Sequence, residues 1–193
     1  MAFEIYNGTG NGTTMFQKLN EMWDFDSYDD TSGIVATYGN AKFEIPTTGS
    51  ILRFYNDTTQ IYNVEAFQGG IFTIVKADTA IMLSWAYGSY THTIIIGTLT
   101  NVDGSTGKGA VLTLGNSGNY YMVAGTNADT NISTAFVTTD ILSQFVQQVS
   151  MYGGWIFDNA YRSIYDTPSG KRGLYMIGND RYYISGRTAI KEE

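Results

Sequence analysis

His92 is the single histidine in a chain of 193 residues that contains no cysteine, and this scarcity limits the chemistry on offer. A histidine serves as a general base when a carboxylate orients it and a nucleophile lies within hydrogen-bond reach. Asp78 and Asp103 are the nearest acids in sequence, but no nucleophile motif accompanies them, so His92 reads as a surface or half-buried structural residue. Zinc takes most of its ligands from Cys and His, so no zinc set is expected. Gly104-Ser-Thr-Gly-Lys108 resembles the end of a phosphate-binding loop. However, Val102 stands where the first glycine is needed and Gly109 where a Ser or Thr would hold magnesium. A strand pattern follows, so no helix N-terminus would face a phosphate, and a hairpin turn is the better reading.

Acidic residues offer two further chemistries. Asp24, Asp26, Asp29 and Asp30 crowd carboxylates as a calcium loop does. Counted from Asp24, though, Tyr28 and Asp29 occupy the positions where an EF-hand carries Asp or Asn and then Gly. A solvated acidic turn is expected, with a weak cation site using backbone carbonyls as the alternative. Any two of the 18 acids could in principle form a glycosidase pair, yet no spacing singles one out. No catalytic residue, metal ligand or cofactor-binding residue is therefore assigned.

The aromatics are more informative. Trp85-Ala-Tyr87-Gly-Ser-Tyr90, Tyr120-Tyr121 and Tyr182-Tyr183 place large rings beside glycines or at strand ends. Rings displayed on rigid β-structure stack on sugars and are enriched at protein interfaces. Neighbours in a strand point to opposite faces, so one ring of each doublet should face outward unless something covers it. The candidate interaction surface is Trp85, Tyr87, Tyr90, Tyr120 and Tyr182, with Arg181 and Arg187 supplying charge.

These residues must be positioned by strands. Thr14-x-x-Gln17 has the form of a capping box, and Met15, Phe16, Leu19, Met22 and Trp23 fall on one face of a helix predicted over Met15–Asp24. The preceding Asn7-Gly-Thr-Gly-Asn-Gly12 reads as a turn-rich arm unable to propagate a strand. From Gly33 onward, alternating apolar and polar residues recur about every ten residues. Gly39-Asn40, Asn56-Asp57-Thr58, Asp103-Gly104, Asn116–Asn119, Thr167–Gly170 and Gly178-Asn179-Asp180 provide turns between them. This pattern predicts a mainly β protein, an antiparallel β-sandwich or barrel, with an N-terminal arm and helix over 1–32 and a β-rich domain over 33–193. Residues 140–151 fit a second short helix, with Asp140 as cap and Gly153-Gly154 as stop. They also fit a strand entering Trp155.

Composition excludes several classes. A hydrophobic content of 43% can build a core, while only 15% of residues are charged. The net charge of −7 argues against non-specific nucleic-acid binding. Apolar runs such as Thr93–Ile96 are too short to cross a bilayer, and Met1–Ile5 lacks the features of a signal peptide. Residues 1–60 carry eight acids and three bases, whereas 162–193 carry six bases and four acids. Oppositely charged ends of this kind would suit head-to-tail contact between copies in a ring or lattice.

The ending Gly173-Leu-Tyr-Met-Ile-Gly-Asn-Asp-Arg-Tyr-Tyr-Ile-Ser-Gly-Arg-Thr-Ala-Ile-Lys-Glu-Glu193 resembles the terminal hairpin of small virion-associated structural proteins of tailed bacteriophages and prophages. The helix followed by a Gly-, Thr-, Asn- and Tyr-rich β-domain is similar as well. No residue-level functional motif accompanies the resemblance. It implies a non-enzymatic head or tail component of a virion, assembled in the bacterial host cytoplasm. Such a component would form a homo-oligomer or dock on other virion proteins, without nucleic acid, membrane or cofactor. A carbohydrate- or receptor-binding module, using Trp85, Tyr87 and Tyr90 on a glycan, is the alternative.

Overall fold

A computed structural model describes residues 2–64, 67, 69–88, 90–115, 120–130, 136–137, 146–150, 154–163, 172–186 and 188–193. The N-terminal half contains β1 (Glu4–Gly10), α1 (Gly12–Met22), β2 (Ser27–Asp29), β3 (Ile34–Tyr38), β4 (Ala41–Ile45), β5 (Leu52–Asn56), β6 (Thr59–Val64), β7 (Gly70–Lys76) and β8 (Ala80–Tyr87). The C-terminal half adds β9 (Tyr90–Asn101), β10 (Thr106–Thr113), β11 (Tyr120–Ala124), β12 (Asn127–Thr130), β13 (Phe136–Val137), β14 (Val146–Ser150), β15 (Trp155–Ser163), β16 (Arg172–Ile177), β17 (Asp180–Ser185) and β18 (Thr188–Lys191). The protein is mainly β and antiparallel, with one helix among the described residues, as the alternation predicts.

Strands β2 to β6 form a five-stranded meander in sequence order. Its tight turns fall where expected: Tyr38 pairs with Ala41 around Gly39-Asn40, and Asn56 pairs with Thr59 around Asp57-Thr58. Gly39 (φ +58°) and Asp57 (φ +52°) both take the left-handed conformation such short loops require, which Gly and Asp tolerate best. The remaining strands form a thirteen-stranded sheet with the path β1-β7-β8-β9-β15-β18-β17-β16. Branches β10-β11-β12 and β14-β13 leave it at β9 and β15.

Strand β9 determines the shape of this sheet. One of its edges pairs with β10 from Thr93 to Thr100. Its other edge pairs with β8 only as far as Gly97, opposite Ala80, and then with β15 over Leu99–Asn101. At the changeover a Cβ on Gly97 would lie 2.6 Å from the Thr79 carbonyl oxygen, so only glycine fits. Beyond it, β15 carries β18 and β17 back over the sheet.

Strands β7 to β11 are therefore buried on both faces. On one face, Phe72, Ile74, Leu83, Trp85, Ile94, Leu112 and Val123 pack with Phe16 and Leu19 of α1 and with Phe43 and Phe54 of the meander. On the other, Val75, Met82, Ile95, Val111 and Met122 pack against Phe157 and Ala160 of β15, Tyr183 of β17 and Ile190 of β18. Full burial of each such aliphatic or aromatic side chain contributes about 1.5–3 kcal/mol. This second face is also crossed by a row of hydroxyls. Thr73, Ser84, Thr93 and Thr113 stand opposite one another on β7, β8, β9 and β10, and all four are buried. The overlying layer matches the middle two: Ser185 Oγ lies 2.5 Å from Ser84 Oγ, and Thr188 Oγ1 lies 2.7 Å from Thr93 Oγ1.

The structure corrects three expectations. The supposed N-terminal arm is strand β1, paired along its whole length with β7. Glycine serves there because a Cβ on Gly8 would lie 2.7 Å from the Phe72 ring. Helix α1 starts earlier than the capping box suggests. Asn11 is its cap, with Oδ1 accepting from the Thr14 backbone N–H at 3.1 Å, and α1 buries its stripe in the common core. Of the stretch offered as a second helix, Val146–Ser150 is a strand paired with β15 and the rest lies outside the described residues. The turns at Asn116–Asn119 and Thr167–Gly170 also lie outside them.

Two stability measurements test this account. Asn11→Ala should cost about 1 kcal/mol in urea unfolding, whereas Thr14→Ala, which removes no cap, should cost clearly less. Ser84→Ala leaves the Ser185 hydroxyl buried without that partner and should cost about 1–3 kcal/mol. Ser84→Ala with Ser185→Ala together should cost less than the sum of the two, a non-additivity read in a double-mutant cycle.

Candidate functional site

The expected interaction residues are only partly at the surface. Trp85, in the centre of the large sheet, has 0% exposure. It packs edge-on against Phe67 (4.7 Å between ring centroids) and lies 5.4 Å from the His92 ring. It falls on the sheet face covered by α1 and the meander, which the alternation along β8 could not reveal because both faces of that strand are covered. Tyr87 and Tyr90 pair at the tip of the β8–β9 hairpin, and Tyr120 begins β11 opposite Thr113. The side chains of these three tyrosines lie outside the described set, as does Arg187.

The tyrosine doublet of β17 is buried on both sides. Tyr183 faces the core beneath it, and Tyr182 packs edge-on against Tyr161 at 5.4 Å. Burial raises the pKa of both, and that of Tyr161 to about 12. Tyr182 is thus a core residue of the C-terminal layer, not a surface ring. Arg181 remains half-exposed, with Nη1 donating to both Glu192 carboxylate oxygens at 3.1 and 3.2 Å.

The acidic turn is not assembled as a cation site. Asp26 is bonded to the Lys108 ammonium and accepts from the Gly39 N–H. Burial opposes ionisation there, but these bonds hold the Asp26 carboxyl below its usual range. Asp29 accepts from the Thr31 N–H, and Asp30 accepts from the Gln17 amide. Among the described residues no group of three metal-ligating side chains converges. The Gly104–Lys108 segment is a turn leading into β10, as read, and Lys108 also lies 4.8 Å over the Tyr38 ring. His92 is buried against Trp85, with Nδ1 accepting from the Gly115 N–H at 3.3 Å. Burial lowers its pKa, so the imidazole is neutral near pH 7. The charged ends likewise pair within the chain: Lys42 and Arg53 with Glu44, Lys108 with Asp26, and Lys191 with Asp180.

Among the described residues, the longest run of consecutive exposed apolar side chains is on β16, the end strand of the large sheet, paired on one side with β17. Leu174, Tyr175 and Met176 are 43%, 38% and 65% exposed. They are consecutive, so apolar groups project from both faces of the strand. No charged residue occurs from Gly173 to Asn179. The opposite end strand, β1, is dressed differently. It exposes Ile5 and Tyr6, but Glu4 stands beside them, the Lys18 ammonium lies 4.6 Å over the Tyr6 ring, and its second half is Asn7-Gly-Thr-Gly10. Charge on an edge strand is the usual guard against pairing with another chain, and on β16 it is confined to Arg172 at the first residue. The run Gly173–Ile177 is visible in sequence as a strand. Its edge position is not, because that depends on strand order.

Neither a family model, nor a curated protein, nor a solved structure matches this chain. No helix among the described residues is long and apolar enough to cross a membrane.

The buried imidazole gives a pH dependence with a definite sign. With its folded pKa below the ordinary 6.5, His92 contributes stability above pH 6.5 that is lost as pH falls through the folded value. The unfolded chain alone takes up the proton in that window. Since His92 is the only histidine, His92→Phe should flatten the fall in melting temperature immediately below pH 6.5, before carboxylates titrate.

Proposed function

We propose that this protein is a non-enzymatic structural component of a phage virion, associated with head or tail, that self-associates or docks on other virion proteins. The observation that carries the assembly role is the edge strand β16, whose run Gly173–Ile177 holds no charged residue and exposes Leu174, Tyr175 and Met176. A free edge offers a row of backbone donors and acceptors, and a partner strand satisfies them while covering the flanking side chains. The virion setting, with assembly in a bacterial host cytoplasm, rests on the resemblance of Gly173–Glu193 to the terminal hairpin of virion-associated proteins. That segment includes β16, β17 and β18, so the resemblance and the free edge coincide. The glycan-binding alternative loses Trp85 as a stacking platform, since the ring is enclosed by Phe67 and His92.

In light scattering, the wild-type protein should have a mass that is a multiple of 21.3 kDa, changing little between low salt and about 1 M salt because apolar contacts are not screened. Met176→Lys should give the monomer mass with stability changed by no more than about 0.5 kcal/mol, as for other exposed positions. A wild-type chain that stays monomeric at every concentration, and is absent at fixed copy number from purified particles, overturns the reading.

A further inference from the structure

We infer that β16 pairs antiparallel with β16 of a second copy of this chain, about a two-fold axis at Tyr175; this rests on the assembly role proposed above and names its partner. The pairing follows from what the strand displays. With Tyr175 on the axis, Tyr175 faces its equivalent, Leu174 faces Met176 and Gly173 faces Ile177, so each exposed apolar side chain of the edge meets an apolar one. Facing residues on adjacent strands are the pairs that interact most closely.

Charge fits the same register. Arg172 of one copy lies opposite Gly178 of the other, beside the turn that carries Asp180. The Asp180 side chain is 47% exposed and binds Lys191 Nζ through Oδ1 at 3.0 Å, which leaves carboxylate acceptor capacity for a guanidinium. The two-fold axis places this contact at both ends and keeps the two Arg172 side chains apart. Strand β1 is a poorer partner. Its Asn7-Gly-Thr-Gly10 half offers Tyr175 and Leu174 little apolar area, and Lys18 occupies the Tyr6 ring.

The chain has no cysteine, so single introduced thiols report which residues face each other. Facing residues in an antiparallel pair have Cα atoms about 4.5–5.5 Å apart, within the range a disulfide spans. The full chain carrying Tyr175→Cys, Leu174→Cys, Met176→Cys or Ile5→Cys is oxidised with copper phenanthroline, and dimer is read on a non-reducing gel. Tyr175→Cys should cross-link to itself roughly tenfold faster than Ile5→Cys. A mixture of Leu174→Cys and Met176→Cys should cross-link faster than either alone, which keeps the test open if Tyr175→Cys does not fold. Efficient cross-linking of Ile5→Cys with Met176→Cys, while Tyr175→Cys stays monomeric, overturns the two-fold pairing in favour of a head-to-tail one and leaves self-association standing. An oligomeric wild type with none of these links moves the contact to another surface. A monomeric wild type with no link overturns both readings.

Discussion

Burial of strands β7 to β11 on both faces is the constraint from which the rest of the architecture follows. Runs such as Ile81-Met-Leu83 and Ile94-Ile-Ile96 leave no polar side for water, so each face needs its own cover. The N-terminal third supplies one cover through α1 and the five-stranded meander, and the C-terminal third supplies the other through β15, β17 and β18. A single flat sheet cannot supply the second cover from its own strands. The exchange of β8 for β15 along one edge of β9, with Gly97 at the changeover, is what lets the sheet curl back on itself.

Apolar burial is non-directional, so it explains why the C-terminal layer docks but not where. The hydroxyl row gives the position. Ser84 against Ser185 and Thr93 against Thr188 are hydrogen bonds between layers, made where water cannot compete, and a shift of one residue would leave several hydroxyls buried without partners. The chain ends secure the same placement. Glu192 accepts from the Phe3 backbone N–H at 3.0 Å, and Glu193 accepts from the Thr79 backbone N–H at 3.1 Å. Both carboxylates thereby tie the last residues to the start of β1 and the β7–β8 turn, while β16 is the outermost strand because it pairs only with β17.

Local features were legible in the sequence to the extent that local physics decides them. The turns at Gly39-Asn40 and Asp57-Thr58 were readable because so few residues accept a left-handed backbone, and Met15, Phe16, Leu19 and Met22 were readable as one helical face. Strand β1 was missed because glycines weaken any strand signal; they are tolerated here by the close approach of Phe72, a partner about 65 residues away. Trp85 and Tyr182 were misplaced for a related reason. Alternation says which residues share a face but not whether another layer covers that face, and in this fold layers cover both. Trp85 and Tyr182, singled out as rings on a surface, are core residues, and exposed apolar side chains lie one strand from Tyr182, on β16.

The distribution of charge bears on what can happen at that strand. Only 15% of residues are charged, and many of those described are spent on contacts within the chain: Asp26 on Lys108, Glu44 on Lys42 and Arg53, Glu192 on Arg181. Oppositely charged ends therefore offer less to a neighbouring copy than the sequence alone suggests, because much of their charge is neutralised locally, and exposed pairs contribute little in any case. An edge strand makes no such compromise. Its outward backbone groups cannot be satisfied by the sheet it ends, and beyond Arg172 at its start β16 has no charged residue or proline between them and a second strand. Of the two ends of the long sheet path, β16 is therefore the one whose exposed side chains best suit the strand pairing proposed above, because its apolar run is interrupted neither by charge nor by a glycine-rich half like that of β1.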